Sequence, residues 1–417
     1  MMKCGLLGEK LSHSYSPQIH AMLGSYTYEL YERKPEEIEA FLKNGDWDGI
    51  NVTVPYKKAV LPYLDQLSPI ARKLGAVNTI VRRNGKLIGH NTDYFGFQML
   101  LKTLPFPIDP EKALILGSGG ASNTAAAVLK DMGAKVVVIS RGGENNYSNL
   151  QLHQDAHLIV NTTPVGMYPN TGLSPLPNLI NRQNFPCLRG VVDVIYNPAR
   201  TQLLLDAEKH DHIACTNGLL MLVAQAKEAA EWFTGGKISN DVIEPILRKL
   251  ERQMHNIVLI GMPGCGKTTV GNLLAEKTQL KFVDADAQIE YLAGKTIPQI
   301  FTQDGEEVFR SLETKVLAHL GKQSGLIIAT GGGCVTQERN YDLLHQNGVI
   351  YWIPRDLADL STEGRALSQK AHLKEMYRVR EPLYNRFKDW NIMNNGSPEE
   401  AARQIIHIWE NERCKFL

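Results

Sequence analysis

Ile257-Val-Leu-Ile260-Gly261-Met-Pro-Gly264-Cys265-Gly266-Lys267-Thr268-Thr269 is an apolar run that breaks into glycines and ends on Lys-Thr-Thr. It fits GxxxxGK(S/T) in full, and a helical pattern over 270–277 follows it. Glycines let the backbone turn tightly, so that successive N–H groups can point at one anion. Lys267 then reaches outer phosphate oxygens, and the Thr268 hydroxyl can ligate Mg²⁺. Gly264, Cys265, Gly266, Lys267, Thr268 and Thr269 are therefore read as holding a nucleotide. A glycine turn with a purely structural role would not need the Lys-Thr pair.

A second glycine loop lies upstream. Ala113-Leu-Ile-Leu116 runs into Gly117-Ser118-Gly119-Gly120-Ala121-Ser122 and then a helical pattern over 123–130. The third position of GxGxxG is Ser122, so the bare pattern is incomplete. The next apolar run, 135–139, ends in Ser140-Arg141, about 20 residues past the glycines, where dinucleotide folds read the ribose. An acidic residue there holds a 2′-hydroxyl; Arg141 suits a 2′-phosphate and predicts NADP rather than NAD. No second basic residue comes soon after Arg141, and Glu144 sits close by. One doubly wound sheet carries one such loop, so two loops imply two nucleotide-binding domains.

The rest of the chain agrees. Apolar runs at 3–7, 49–54, 112–116, 135–139, 158–161 and 190–194, then 256–260, 281–283, 326–330 and 349–353, alternate with helical patterns. This alternation predicts an α/β protein with parallel sheets covered by helices. At roughly 100–200 residues per domain, 417 residues make two to four folding units. The highly charged stretch 244–255 precedes a fresh strand and sets the main boundary, giving domains at 1–253 and 254–417. The first divides again, with a Rossmann part at about 101–217 and a substrate part at about 1–100 and 218–250.

Bulk properties exclude several classes. Lys and Arg number 45 against 44 Asp and Glu, a formal net charge of +1, and no basic stripe stands out for nucleic acid. No apolar run reaches the ~18 residues of a membrane span. The opening MMKCGLLGEK lacks the layout of a secretory signal. Six scattered cysteines with no CxxC pair read as reduced thiols, and a cytoplasmic location is expected.

Ordered blocks across roughly residues 3–250 carry a resemblance. Ser12-His-Ser14-Tyr-Ser16-Pro17 resembles an HSxSP signature, and Asn51-Val-Thr53-Val-Pro55-Tyr-Lys57 resembles NVTxPxK. Gly75-Ala-Val-Asn78-Thr79, Asn91-Thr-Asp93, the run from Val160 to Met167, Asp193-Val-Ile-Tyr196-Asn-Pro198 and the run from Gly218 to Gln225 complete the set. Together they resemble the shikimate dehydrogenases. The chemistry is coherent by itself, since a Lys beside a carboxylate can give and regain the proton a ketone reduction needs. The resemblance implies Lys57 and Asp93 as the catalytic pair, with Ser14 and Ser16 on a substrate carboxylate. It also implies Thr53, Asn78, Asp93, Tyr196 and Gln225 on ring hydroxyls, and Gly218 beside the cofactor. The stretch from Arg141 to Leu158 is short for this family, so a helix or strand is expected to be missing there.

The second half has its own resemblance, over about 255–410. Phe282-Val-Asp284-Ala-Asp286, Gly305-Glu-Glu-Val-Phe309-Arg310-Ser-Leu-Glu313 and Ala329-Thr-Gly331-Gly332-Gly333 closely resemble shikimate kinase. The resemblance implies Asp284 and Thr268 at the metal, and Asp286 as base or orienter of the attacking hydroxyl. It implies Arg310 and Arg380 on the substrate carboxylate, Gly332 against the ring, and Arg365 as a lid arginine over the phosphates. The lid, Ser361-Thr-Glu-Gly-Arg-Ala-Leu-Ser368, is shorter than the family's and lacks a further upstream arginine.

Both resemblances meet in one metabolite. The expected activities are NADPH-dependent reduction of 3-dehydroshikimate to shikimate and ATP- and Mg²⁺-dependent phosphorylation to shikimate 3-phosphate. The expected partners are small molecules, not nucleic acid or membrane, and monomer and homodimer both stay open. The rival readings are an NAD-dependent quinate/shikimate dehydrogenase, another small-molecule P-loop kinase, and a ligand-sensing pseudoenzyme. Arg141 argues against the first, and Asp286, Arg310 and the triple glycine against the second. Retention of Lys57, Asp93 and Lys267 argues against the third.

Overall fold

The computed structural model describes residues 1–11, 14–360 and 370–411. Three sheets occur. The first holds β1 (Lys3–Gly8), β2 (Thr27–Glu32), β3 (Gly49–Val52), β4 (Gln66–Leu67), β5 (Thr79–Arg83) and β6 (Lys86–His90), in the order β2-β1-β3-β5-β6-β4. The second holds β7 (Lys112–Leu116), β8 (Lys135–Ile139), β9 (Leu158–Asn161), β10 (Gly190–Asp193) and β11 (Ala214–Thr216), in the order β11-β10-β9-β7-β8. The third holds β12 (Asn256–Ile260), β13 (Lys281–Asp284), β14 (Leu326–Ala329), β15 (Gly348–Trp352) and β16 (Trp390–Asn391), in the order β13-β14-β12-β15-β16.

The second and third sheets are wholly parallel, as the apolar runs predict. The first corrects that expectation: β5 runs antiparallel to both β3 and β6. The reason is local. Asn84 and Gly85 join β5 to β6 with φ of 51° and 74°, the left-handed pair that a tight hairpin needs. No crossover helix fits such a connection.

By packing, the chain divides into two compact units. One comprises Met1–Pro164, Pro175–Tyr196 and Asp206–Lys249; the other comprises Val165–Ser174, Asn197–Leu205 and Leu250–Leu417. The charged stretch ahead of β12 is a helix, Ile243–Met254.

In the first unit, helix Leu219–Thr234 packs on β3, β5 and helices Ser16–Leu23 and Asp93–Leu101. A Cβ at Gly96 would stand 2.6 Å from the Met221 carbonyl and 3.0 Å from the Gln225 Cβ. Glycine there lets the two helices close, which brings the start of one beside Gln225 of the other. In the second sheet, β9 lies against β7 rather than outside β8. Only a 3-10 turn, Leu150–His153, fills the link between β8 and β9. The short stretch after Arg141 thus leaves out both a crossover helix and an outer strand. In the second unit, helix Lys267–Thr278 packs on β12, β13 and β14, and helix Pro398–Asn411 covers it. Ile257, Leu259, Ile327, Ile350 and Leu274 are fully buried around it.

Two imidazoles are folded into these cores. Burial pushes His20 down to about 3 from its ordinary 6.5. His255 is likewise down to about 3, by burial first and the nearby Arg200 charge second. The unfolded chain therefore binds protons that the fold refuses. The contribution of these two groups is complete above about pH 6.5 and should fall by about 1.4 kcal/mol per pH unit for each imidazole below it. Thermal unfolding followed from pH 7.5 down to pH 5 should show a falling midpoint. A flat profile would mean that neither imidazole is buried neutral.

Candidate active sites

The first site forms where β3, β5 and the two packed helices meet. Lys57 Nζ donates to Asp93 Oδ2 at 2.6 Å, with the two side chains 31% and 17% exposed. Asp93 opens its helix, and its other oxygen accepts from Asn78 Nδ2 at 3.0 Å. Asn78 Nδ2 also donates to the Thr92 hydroxyl, and the Thr92 backbone N–H donates to Asn78 Oδ1 at 2.7 Å. The Thr92 hydroxyl lies 3.2 Å from Gln225 Oε1. The structure thus joins Lys57, Asp93, Asn78 and Gln225 in one polar cluster. Thr92 is the residue the sequence reading passed over, although it sits inside the block Asn91-Thr92-Asp93.

Ser16 opens helix Ser16–Leu23 and is buried, and its N–H donates to the Ser14 hydroxyl at 3.2 Å. Thr53 follows β3, its N–H bonded to the Leu7 carbonyl. The ring of Tyr196 meets that of Tyr15 edge-on at 6.2 Å, and burial raises its phenol above the ordinary range.

The glycine loop after β7 sits at the point where the strand order reverses, between β7 and β9. Open α/β sheets bind ligands at that crevice. Gly117 has φ of +104°, and a Cβ there would meet Thr163 and Thr162 at 2.9 and 3.0 Å. At Gly119 and Gly120 a Cβ would meet nothing within 4 Å among the described residues. The chain's own packing gives no reason for those two glycines. They lead into helix Gly120–Asp131, whose first N–H groups have no side-chain cap among the described residues. Ser118 and Ala121 flank them. The Gly117 N–H is tied to the Ile139 carbonyl, so Arg141, exposed just beyond β8, belongs to the same rim. Gly218 has a packing reason, since a Cβ would stand 2.0 Å from the Val194 carbonyl.

The second site lies at the carboxyl ends of β12, β13 and β14. Gly261, Gly264 and Gly266 all have positive φ, and a Cβ at Gly266 would meet Asn394 Nδ2 at 2.6 Å. Asn394 in turn donates to the Cys265 carbonyl at 2.8 Å and fixes the loop from behind. Lys267 is buried, its ammonium on the Gly261 and Met262 carbonyls at 2.9 and 3.0 Å. Thr268 donates to Asp284 Oδ2 at 3.1 Å, so a hydroxyl and a carboxylate suited to Mg²⁺ already stand together. Thr269 is exposed on the first turn of the same helix. Asp284 also caps the following helix by accepting from the Asp286 N–H.

Arg310 lies on helix Glu306–Gly321, which packs on the helix Ala285–Ala293 that carries Asp286. Its guanidinium donates to Glu313 Oε2 at 2.8 Å and to Glu306 at 3.2 Å; against the cost of burial, these carboxylates hold its charge. Burial drives the Glu313 carboxyl above its ordinary range despite Arg310. The Arg380 charge is also felt at Glu313. Glu313 is the second residue the reading left without a part; its i,i+3 spacing from Arg310 on one helix was the available signal. The glycines of the triplet are demanded by close approach. A Cβ at Gly331 would meet Asp286 Oδ1 at 2.7 Å, at Gly332 the Pro263 ring at 2.6 Å, and at Gly333 the Arg310 guanidinium at 2.5 Å. Arg365 lies outside the described residues.

These features define a nucleotide-dependent oxidoreductase joined to a P-loop phosphotransferase. Comparison with known proteins makes both more specific. A model of the shikimate dehydrogenase substrate binding domain matches residues 6–80, and a shikimate kinase model matches residues 263–410. The shikimate dehydrogenase (NADP(+)) of Clostridium perfringens is 35% identical over 269 residues, covering 59% of this chain and 97% of that protein. Shikimate dehydrogenase 1 of Peptoclostridium difficile is 38% identical with a TM-score of 0.53, covering 60% of this chain and 98% of the other. A chorismate mutase/shikimate 5-dehydrogenase fusion protein from Clostridium acetobutylicum is 35% identical with a TM-score of 0.55, covering 60% and 96%. The chain belongs to the shikimate dehydrogenase family and carries a shikimate kinase domain behind it. It is a bifunctional enzyme of the shikimate pathway.

Among the described residues, no helix is long and apolar enough to cross a membrane.

Proposed function

We propose that this chain reduces 3-dehydroshikimate to shikimate with NADPH, and phosphorylates the shikimate to shikimate 3-phosphate with ATP and Mg²⁺. The proposed boundary between the two enzymes is 253/254. The observation that carries the reading is the Lys57–Asp93 pair at 2.6 Å within a ring of amides and hydroxyls. A polyol acid needs such a lining, because each buried hydroxyl must find a partner.

NADPH bound along the glycine loop supplies the hydride. Lys57 delivers the proton to the carbonyl oxygen, and Asp93 orients the ammonium and accepts from a ring hydroxyl. Ser14 and Ser16 hold the substrate carboxylate, while Thr53, Asn78, Tyr196 and Gln225 hold hydroxyls. The N–H groups from Gly117 to Ala121 meet the pyrophosphate, Gly218 lies beside the nicotinamide, and Arg141 holds the 2′-phosphate.

ATP with Mg²⁺ supplies the phosphoryl group to the second site. The loop from Gly264 to Thr269 wraps the phosphates, with Lys267 on their outer oxygens and Thr268 and Asp284 at the metal. Asp286 orients the attacking hydroxyl and takes its proton. Arg310 and Arg380 clamp the carboxylate with planar guanidinium groups, and Gly332 faces the ring; the resemblance assigns Arg365 to the phosphates.

The test is a one-pot reaction with 3-dehydroshikimate, NADPH, ATP and Mg²⁺, following NADPH absorbance and detecting product by mass spectrometry. NADPH consumption with shikimate 3-phosphate supports both halves. Shikimate accumulating alone removes the kinase half, and no turnover removes the reading. For the cofactor, Arg141→Ala should raise the KM for NADPH about ten-fold through the lost charged contact and leave that for NADH unchanged. Equal weakening of both would assign Arg141 to loop structure.

A further inference from the structure

Behind the Lys57–Asp93 pair runs a line of side-chain hydrogen bonds that all point one way. The Tyr28 hydroxyl donates to Asn51 Oδ1 at 2.8 Å. Asn51 Nδ2 donates to the Thr79 hydroxyl at 3.0 Å. The Thr79 hydroxyl donates to Asn78 Oδ1 at 3.1 Å. Asn78 Nδ2 donates to Asp93 Oδ1 at 3.0 Å, and Lys57 meets the other oxygen. The fold fixes the middle of this line, because Asn51 and Thr79 are direct partners across the antiparallel β3–β5 ladder.

An amide or a hydroxyl can both give and accept, so nothing in Asn51, Thr79 or Asn78 alone sets the direction. The ends set it. A carboxylate only accepts, and a phenol kept protonated donates. Desolvation raises the Tyr28 phenol well above its ordinary value, and the Ser16 hydroxyl also touches it. Its ring is held in place by stacking on His20 at 4.0 Å, and His20 Nδ1 is bonded to the Tyr26 hydroxyl at 2.7 Å. Bonds aligned head to tail polarise one another.

We propose that Tyr28 is a positioning residue of the dehydrogenase site. Its hydroxyl orients the Asn51 amide, and through Thr79 the Asn78 amide, so that an N–H and not a carbonyl faces Asp93. The inference rests on the catalytic part given to Asp93 above. The Thr92 N–H also pins Asn78 Oδ1, so losing the phenol weakens the alignment without abolishing it.

The test uses the full chain with Tyr28→Phe, Thr79→Val and the double variant. It measures kcat and KM for shikimate oxidation, KM for NADP⁺, kinase turnover and thermal midpoint. Tyr28→Phe should lower kcat/KM for shikimate about three- to ten-fold, the loss expected for one hydrogen bond. The KM for NADP⁺ and the kinase rate should stay unchanged. Because both substitutions cut one line, the double variant should fall well short of the product of the two single losses. Losses that multiply, a Tyr28→Phe chain of wild-type efficiency, or an equal rise in the KM for NADP⁺ would each overturn the proposal. Asp93→Asn separates the two levels. If it keeps full activity, the reading of Asp93 fails; if it is inactive while Tyr28→Phe is unaffected, only the positioning line fails.

Discussion

Alanine at Lys57 is expected to cut dehydrogenase turnover about 10²–10⁴-fold and to leave kinase turnover at the wild-type level. The magnitude is that of a positioned proton donor. In this fold Lys57 stands on the segment after β3, its ammonium held by Asp93 at 2.6 Å. Truncation removes the proton source and leaves Asn78 still donating to Asp93, so the carboxylate keeps one partner. The Lys57 carbonyl goes on accepting from the Val77 N–H, which is a backbone matter. With the pair partly exposed, its loss costs about 1 kcal/mol of stability or less, and the thermal midpoint should barely move. Steady-state rates with NADPH and 3-dehydroshikimate, beside rates with ATP and shikimate, decide it. A reduction rate within ten-fold of wild type would remove Lys57 from the chemistry. Equal loss of both activities would contradict two separate sites.

What could be read of the fold followed burial. Strands such as β7, β9 and β12 are covered on both faces and read as unbroken apolar runs. The expected spans 112–116, 158–161 and 256–260 coincide with the observed strands. The first sheet's other strands did not announce themselves that way. Strand β2, Thr-Tyr-Glu-Leu-Tyr-Glu, is an edge strand with polar residues interleaved, and β5 and β6 carry Arg82, Arg83 and Lys86 at their exposed ends. The signal for the β5–β6 hairpin was Asn84-Gly85, a turn cue rather than a hydrophobic one. Strands β4 and β16 have two residues each and no pattern at all.

The sites divide along a similar line. Blocks such as Asn51–Lys57 and Gly261–Thr269 mark residues whose neighbours in sequence are also their neighbours in space. The link from Asn51 to Thr79, and so from Tyr28 to Asp93, exists only through strand register between distant segments. Sequence spacing holds no trace of it. Glu313 shows the intermediate case. Its bond to Arg310 is local, but its nearness to Gly331 and Asp286 comes from its helix packing on the helix Ala285–Ala293 that follows β13.

Alanine at Lys267 should produce the opposite split from Lys57, with kinase turnover down about 10²–10³-fold and reduction unchanged. The ammonium stands at the mouth of the loop, held by the Gly261 and Met262 carbonyls. No other lysine lies in the stretch from Ile257 to Val270, so truncation removes the loop's own cation for the outer phosphates. The side chain is buried and also ties two carbonyls, so alanine alone could loosen the loop. Lys267→Met keeps the aliphatic stem and removes only the charge, and it should lose a similar factor. Calorimetric binding of an ATP analogue with Mg²⁺ separates the causes. Retained binding with lost turnover places the charge in the transition state, whereas lost binding places it in the ground state. In the one-pot reaction the Lys267→Met chain should consume NADPH and stop at shikimate. The Lys57→Ala chain should leave 3-dehydroshikimate untouched yet phosphorylate added shikimate. Mixing the two variants should restore the path from 3-dehydroshikimate to shikimate 3-phosphate, because shikimate released by one chain can be taken up by the other. Failure of the mixture, with each single activity retained, would contradict two separate sites joined by free shikimate.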